Sequence, residues 1–219
     1  MKFFFVVVLI CTSVAQTARA MDLVATVLDE NGAAIYQAAI YAEPIDLMPM
    51  VKESSEAVIR QVDKMFKPFV SVVRTNTHIR FPNRDNIKHH VYSFSPAKKF
   101  TLPLYSGSNA EAVLFDKPGE ITLGCNIHDW MIAHVLVVDS PYSAITTKDG
   151  HARLSDLPAG EYKVWPWHPG MKGKRKVKPQ VVQLTDGDVN LTFEIRLKPR
   201  HKWWRNKPAD ADVGGADNY

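Results

Sequence analysis

The chain has 219 residues, 46% of them hydrophobic, and a formal net charge of +4. That apolar content suits a chain that buries a core and is too high for an intrinsically disordered one. The charge is too mild for a nucleic-acid binder, and the length admits one large domain or two small ones.

Residues 1–20 read as a secretory signal peptide. Lys2 gives a positive start, Phe3 to Val14 is almost wholly apolar, and Ala18-Arg19-Ala20 fits a small-x-small cleavage site. The apolar run is short for a bilayer span, so the mature form is expected in the periplasm with no membrane span. Cleavage would remove two bases, Lys2 and Arg19, and no acid, taking the charge from +4 to +2. It would also remove Cys11 and leave Cys125 as the only thiol of the mature chain. Exported proteins use cysteines mostly in disulfide pairs, and one cysteine cannot form an internal bridge. Cys125 is then a buried bystander, a reactive thiol, half of an intermolecular bridge or a metal ligand.

The rest of the chain predicts β-structure. Leu23 to Val27 reads as a strand, Asp29-Glu30-Asn31-Gly32 as a turn and Ala38 to Ala42 as the return. Val58, Val62, Met65 and Phe66 have helical spacing, but Pro68 follows at once, and the same stretch can instead open a sandwich. Short runs of β-branched and aromatic residues follow at Val70 to Val73, Thr77 to Phe81 and His90 to Phe94, with Pro82-Asn83-Arg84-Asp85 between the last two. Later strands are expected at Val135 to Val138, Tyr162 to Trp165, Val181 to Leu184 and Leu191 to Ile195. Glycine-containing turns separate them at 148–150, 158–160 and 186–188. Many short strands at such spacing favour sandwiches or barrels. Residues 199–219 read as a flexible basic and polar tail.

The chemistry concentrates in Gly124-Cys125-Asn126-Ile127-His128-Asp129-Trp130-Met131. A thiolate, an imidazole and a thioether at i, i+3 and i+6 can curl around one ion, and such donors favour copper or zinc. Structural zinc usually takes four strong ligands with paired cysteines, so this set suits it poorly. A second histidine would complete the His₂Cys set, with an axial Met, that marks electron-transfer copper sites. Asn86-Ile87-Lys88-His89-His90-Val91-Tyr92 offers two. Adjacent residues of an extended segment face opposite sides, so one of them can face the ion, and the spacing does not say which.

The stretch from about Val58 to Asp139 resembles a cupredoxin, the small blue copper proteins that include plastocyanin and amicyanin. Phe66-Lys67-Pro68, Val70, Val72-Val73, Thr77 to Phe81 and Asn83 resemble that family's opening strands. His89-His90-Val91 resembles its His-x-Val, Gly119-Glu120 also fits, and Cys125-x-x-His128-x-x-Met131 has amicyanin's short ligand spacing. Within the family it looks closest to plastocyanin-like periplasmic proteins often labelled methylamine utilization proteins. The resemblance implies a Greek-key β-sandwich and the metal ligands His89, Cys125, His128 and Met131. It departs from the family at His90, where Asn is frequent and helps tie the ligand loops together, at Thr77, where Gly is common, and in the long stretch from Phe94 to Lys117.

A second resemblance covers Thr146 to Leu154 and Leu157 to Tyr162, which look like the regulatory-like β-sandwich found beside carboxypeptidases. Val24-x-x-Val27-x-Asp29-x-Asn31-Gly32 resembles that module's start. The implied organisation is all-β, with residues 21–50 and 140–198 forming one discontinuous sandwich and a cupredoxin domain at 58–139 inserted in it.

Other features are read as structure. His134 is expected on the strand leaving the loop, and Trp130 as packing beside the site. His78, His151 and His201 are expected to be exposed or structural, and Trp165-Pro166-Trp167-His168-Pro169 to form a β-turn corner, or alternatively to cap the copper loop or shape a docking surface. Lys172, Lys174, Arg175, Lys176 and Lys178 read as a hairpin tip, or alternatively as a docking patch for an acidic redox partner. The expected function is a periplasmic type 1 copper electron carrier without enzymatic activity, serving a redox partner such as a c-type cytochrome or a dehydrogenase. The alternative is copper storage, delivery or resistance without redox cycling.

Overall fold

In the computed structural model, residues 20–45, 54–173, 177–185 and 187–198 are described. The signal-like residues 1–19, the basic residues Lys174 to Lys176, His201 and the tail 199–219 lie outside them. The described residues hold strands and turns and no α-helix.

The strands, in chain order, are β1 (Met21–Leu28), β2 (Ala39–Pro44), β3 (Ser55–Val58), β4 (Arg60–Val62), β5 (Met65–Lys67), β6 (Val70–Arg74), β7 (Thr77–Arg80), β8 (His89–Ser95) and β9 (Lys98–Tyr105). They continue with β10 (Val113–Phe115), β11 (Gly119–Gly124), β12 (Ile132–Val138), β13 (Ser143–Ile145), β14 (His151–Leu157), β15 (Gly160–Trp167), β16 (Gln180–Leu184) and β17 (Val189–Glu194).

Strict alternation makes β1 a half-buried strand, with Met21, Leu23, Ala25 and Val27 inside. It sits between β14 and β17 in one sheet, facing a second of order β13-β2-β15-β16. Between these two sheets lies a core that includes Ile40, Leu154, Tyr162, Val164, Leu184 and Phe193. Asp29 shapes the first turn, its Oδ1 accepting from the amides of Asn31 and Ala33 at 2.8 Å each.

The second sandwich pairs a five-stranded sheet, β6-β12-β11-β8-β9, with a three-stranded one, β10-β7-β3. Its core includes Ile79, Phe81, Val91, Phe115, Leu123, Cys125, Met131 and Val135. The two sandwiches meet through Ala39, Val70, Leu136, Val138 and Trp167. Strand β12 is therefore buried on both faces, with Ala133, Val135 and Val137 in one core and Leu136 and Val138 in the contact layer.

Two expectations are corrected. The helically spaced segment Val58 to Phe66 is not a helix but the end of β3 and an antiparallel hairpin of β4 and β5. Ile59 and Gln61 are buried while Val58 is 40% exposed, so the side chains alternate as in a strand. The chain then reverses at Asp63 and Lys64, both left-handed at φ 58° and 56°, which suits a two-residue hairpin. The aromatic segment Trp165 to Trp167 is not a corner but the end of β15, paired with β2 as Trp165 to Tyr41, Pro166 to Ile40 and Trp167 to Ala39. Pro166 is tolerated there because β16 pairs β15 only as far as Val164, which frees the proline's side of the strand. The turn begins after Trp167, with the Met171 amide donating to the His168 carbonyl.

Candidate metal centre

Strands β11 and β12 are adjacent and antiparallel, and the loop 125–131 joins them. Its ends are stitched together, the Cys125 amide donating to the Met131 carbonyl at 3.2 Å and the Met131 amide to the His128 carbonyl at 2.9 Å. This places Cys125 and Met131 side by side at the end of the core, 4% and 0% exposed. His128, half-buried, lies at the loop's turn.

Strand β8 supplies the third group. His89 and Val91 point into the core and are fully buried. His90 faces the other way, its ring 5.7 Å from that of Tyr92. The register between β8 and β9 slips by one residue between His89 and Val91, so Pro103 and Leu104 oppose His90 alone. A bulge at a sheet rim re-aims the side chains beside it.

The result is a convergence. Cys125 Sγ lies 3.9 Å from His89 Nδ1 and 3.8 Å from His128 Nδ1. One donor atom from each of the three residues falls within 4.8 Å of the others. A thiolate and two imidazole nitrogens facing one point form a donor set that fits a soft or borderline metal ion, so His89, Cys125 and His128 can hold one. Met131 is fully buried in the same core cluster as Cys125. His134 lies elsewhere, on β12, with its Nδ1 3.2 Å from Thr122 Oγ1 and its ring against Phe69. His78 and His151 contact Ser54 and Thr26.

Electrostatics favours the ligating form of the cysteine. Burial pushes the Cys125 thiol up, but its hydrogen bond with His89 and the amides of Ile127, His90 and His128 outweigh this and hold it below the ordinary thiol value. Burial pulls His89 down, yet its bonds with Cys125 and Asp85 raise it. His128 is lowered, first by burial and then by the charges of His89 and Lys64.

Trp130 packs beside the site as expected, while Asp85 and Gln61 escape a reading of motifs. Asp85 Oδ2 lies 2.7 Å from His89 Nε2. Burial pushes the Asp85 carboxyl up, but bonds from the Lys64 amide, His89 and the Asp63 amide hold it below the usual carboxylate range. Trp130 sets its ring 5.1 Å from His128 and donates from Nε1 to the Lys64 carbonyl at 3.2 Å. Gln61, fully buried, donates from Nε2 to Tyr105 Oη at 2.6 Å and to the Phe81 carbonyl at 2.8 Å. Of Asp85 and Gln61, only Asp85 carries a sequence signal, an acid four residues before a histidine in a turn, and that pattern is common in surface loops.

No protein-family model matches this chain, and no curated protein does. Among solved structures it is similar to the copper-containing nitrite reductase of Thermus scotoductus SA-01, at 21% identity over 44% of this chain and 25% of that one, with a TM-score of 0.37. This chain thus spans a quarter of the reductase's length. It is similar to a purple cupredoxin of Nitrosopumilus maritimus, at 18% identity over 39% of this chain and 100% of that one, with a TM-score of 0.34. A reduced single-residue variant of amicyanin matches at 17% identity over 45% of this chain and 99% of that one, with a TM-score of 0.35.

Proposed function

We propose that this chain is a copper protein with a type 1 centre and that it carries single electrons between partner proteins. The observation that carries the reading is the convergence of one thiolate and two imidazole Nδ1 atoms, with Met131 buried beside them. Zinc would want a fourth strong donor, whereas a buried thioether suits Cu(I). Bound copper would supply the exchange between Cu(II) and Cu(I), with no substrate bond made or broken. The chain's own contribution is to hold the donors still. Cys125 and Met131 are stitched across a strand pair, and His89 sits on the adjoining strand with its second nitrogen on a carboxylate. Donors that move little between two charge states keep the reorganisation on electron transfer small. His128, less buried than His89, closes the site on its solvent side.

In this reading β3 to β12 make up the cupredoxin part, and β1, β2 and β13 to β17 the regulatory-like module. The signal-like segment 1–20 supports export to the periplasm. The partner is a redox protein such as a c-type cytochrome or a dehydrogenase, and the chain is not itself an enzyme.

The copper-loaded, oxidised protein should be intensely blue, green or purple from charge transfer out of Cys125, with a matching EPR spectrum. Cys125→Ser should abolish the colour. A colourless Cu(II) form, or zinc alone after copper supplementation, would refute the reading. Voltammetry separates the carrier from a storage protein, since only the carrier should give a fast reversible wave.

A further inference from the structure

We propose that Asp85 is the positioning residue of this centre: its carboxylate fixes the His89 imidazole with Nδ1 toward Cys125, and it ties that histidine to the loop carrying His128. The proposal rests on the metal-centre reading above.

The first half follows from the chemistry of imidazole. The ring has two nitrogens, and which one carries the proton is set by the hydrogen bond that the other makes. His89 is fully buried, and its Nε2 lies 2.7 Å from Asp85 Oδ2. A carboxylate accepts only, so the proton sits on Nε2. Nδ1, 3.9 Å from Cys125 Sγ, then presents a lone pair to the ion. Carboxylate partners of this kind orient a ligating histidine and raise its basicity.

The second half follows from what else Asp85 holds. Its Oδ1 accepts from the Asp63 amide at 2.7 Å and its Oδ2 from the Lys64 amide at 2.9 Å. Both residues are left-handed, at φ 58° and 56°, so successive amides face one anion as in a backbone nest. The carbonyl of the same Lys64 accepts from Trp130 Nε1, and the Trp130 ring packs on His128. The contacts run without a break from His89 through Asp85, the hairpin turn and Trp130 to His128. The side chain of residue 90 supplies no such tie. His90 lies on the outer face against Tyr92, and its Nδ1 has no hydrogen-bond partner.

Asparagine in place of Asp85 has one acceptor where the carboxylate has two, and its amide group would meet one of the three N–H donors. The test uses the full chain, wild type and Asp85→Asn. In the metal-free, 15N-labelled protein, two-bond proton–nitrogen correlations read the tautomer of His89. The wild type should show Nε2–H, and the variant should lose that preference. On copper loading, the variant should bind roughly 10–100-fold more weakly. Its potential should rise, because a less basic imidazole stabilises Cu(II) less.

A wild-type His89 that carries its proton on Nδ1 and none on Nε2 overturns the proposal, and this measurement needs neither copper nor the variant to fold. So does a folded Asp85→Asn protein with unchanged tautomer, affinity and potential, which would leave Asp85 as a cap of the hairpin turn. A wild-type protein that takes up no copper refutes the metal-centre reading instead, and the tautomer still tests Asp85.

Discussion

Gly124, which precedes Cys125, has no room for a side chain. A Cβ built there would lie 2.7 Å from Tyr92 Cζ and 2.8 Å from its Oη. Carbon atoms rest at about 3.5–4 Å, so Gly124→Ala must push the Tyr92 ring aside by about 1 Å. The ring is not free to move, with His90 5.7 Å away on one side and Phe94 5.0 Å away on the other. Each aromatic pair is worth about 0.5–1.5 kcal/mol. Alanine recovers about 0.5–1 kcal/mol of backbone entropy over glycine in a strand. The net loss should be about 1 kcal/mol, or about 2–4 °C in melting temperature for a chain of this size. Thermal melts of the metal-free protein by circular dichroism measure it. The same substitution in a Tyr92→Ala background should be neutral or stabilising, since the clash has gone. A melt unchanged by Gly124→Ala, or an equal loss in both backgrounds, would show that the contact is not what reserves this position for glycine.

Thr146→Val should cost about 1–3 kcal/mol in urea or thermal unfolding, because it strips the Ala38 amide and the Ile35 carbonyl of a buried hydroxyl partner. Trp167→Ala should cost about 3–5 kcal/mol and split the melt into two steps, since Trp167 fills the layer that joins the sandwiches. A single sharp transition would argue against that coupling. Asp85 is held below the usual carboxylate range, so its contribution to stability is present above the unfolded carboxyl value and lost as pH falls through the folded one. Metal-free Asp85→Asn should therefore be less stable than wild type at about pH 6, with the difference shrinking by about pH 3. A gap that stays constant would mean that the charge is not involved.

Where one face is buried and the other solvated, the sequence announces the strand. Leu23 to Val27 and Tyr162 to Trp165 are runs of apolar, β-branched and aromatic residues whose burial alternates, and they lie inside β1 and β15. The misread segments lack that pattern. Three-residue strands such as β4 and β5 are too short to repeat the two-residue alternation more than once, and their apolar residues straddle a turn, which mimics helical spacing. Strand β9, read as an unexplained long stretch, begins Lys98-Lys99, contains Pro103 and is half-exposed throughout, as befits a sheet edge. Cys125 and His128 were legible as a pair because groups on a short loop that face one point are close in sequence, whereas His89 lies on β8 and entered through its resemblance to a His-x-Val pattern. Asp85 was not, because its partners include two backbone amides of a left-handed turn, and no residue type encodes a backbone amide. The choice between His89 and His90 needed the β8 register, which depends on a bulge in the neighbouring strand.

The double burial of β12 constrains how the metal loop can vary. Alternate residues of that strand belong to different interiors, Ala133, Val135 and Val137 to one and Leu136 and Val138 to the other. Sliding the strand by one residue would exchange the two sets, so it cannot pay out or take in chain to suit a longer or shorter loop. An insertion between Cys125 and Met131 must bulge outward at the protein surface, near His128. Lengthening the loop would therefore remodel the face presented to a partner and leave the seats of Cys125 and Met131 where they are.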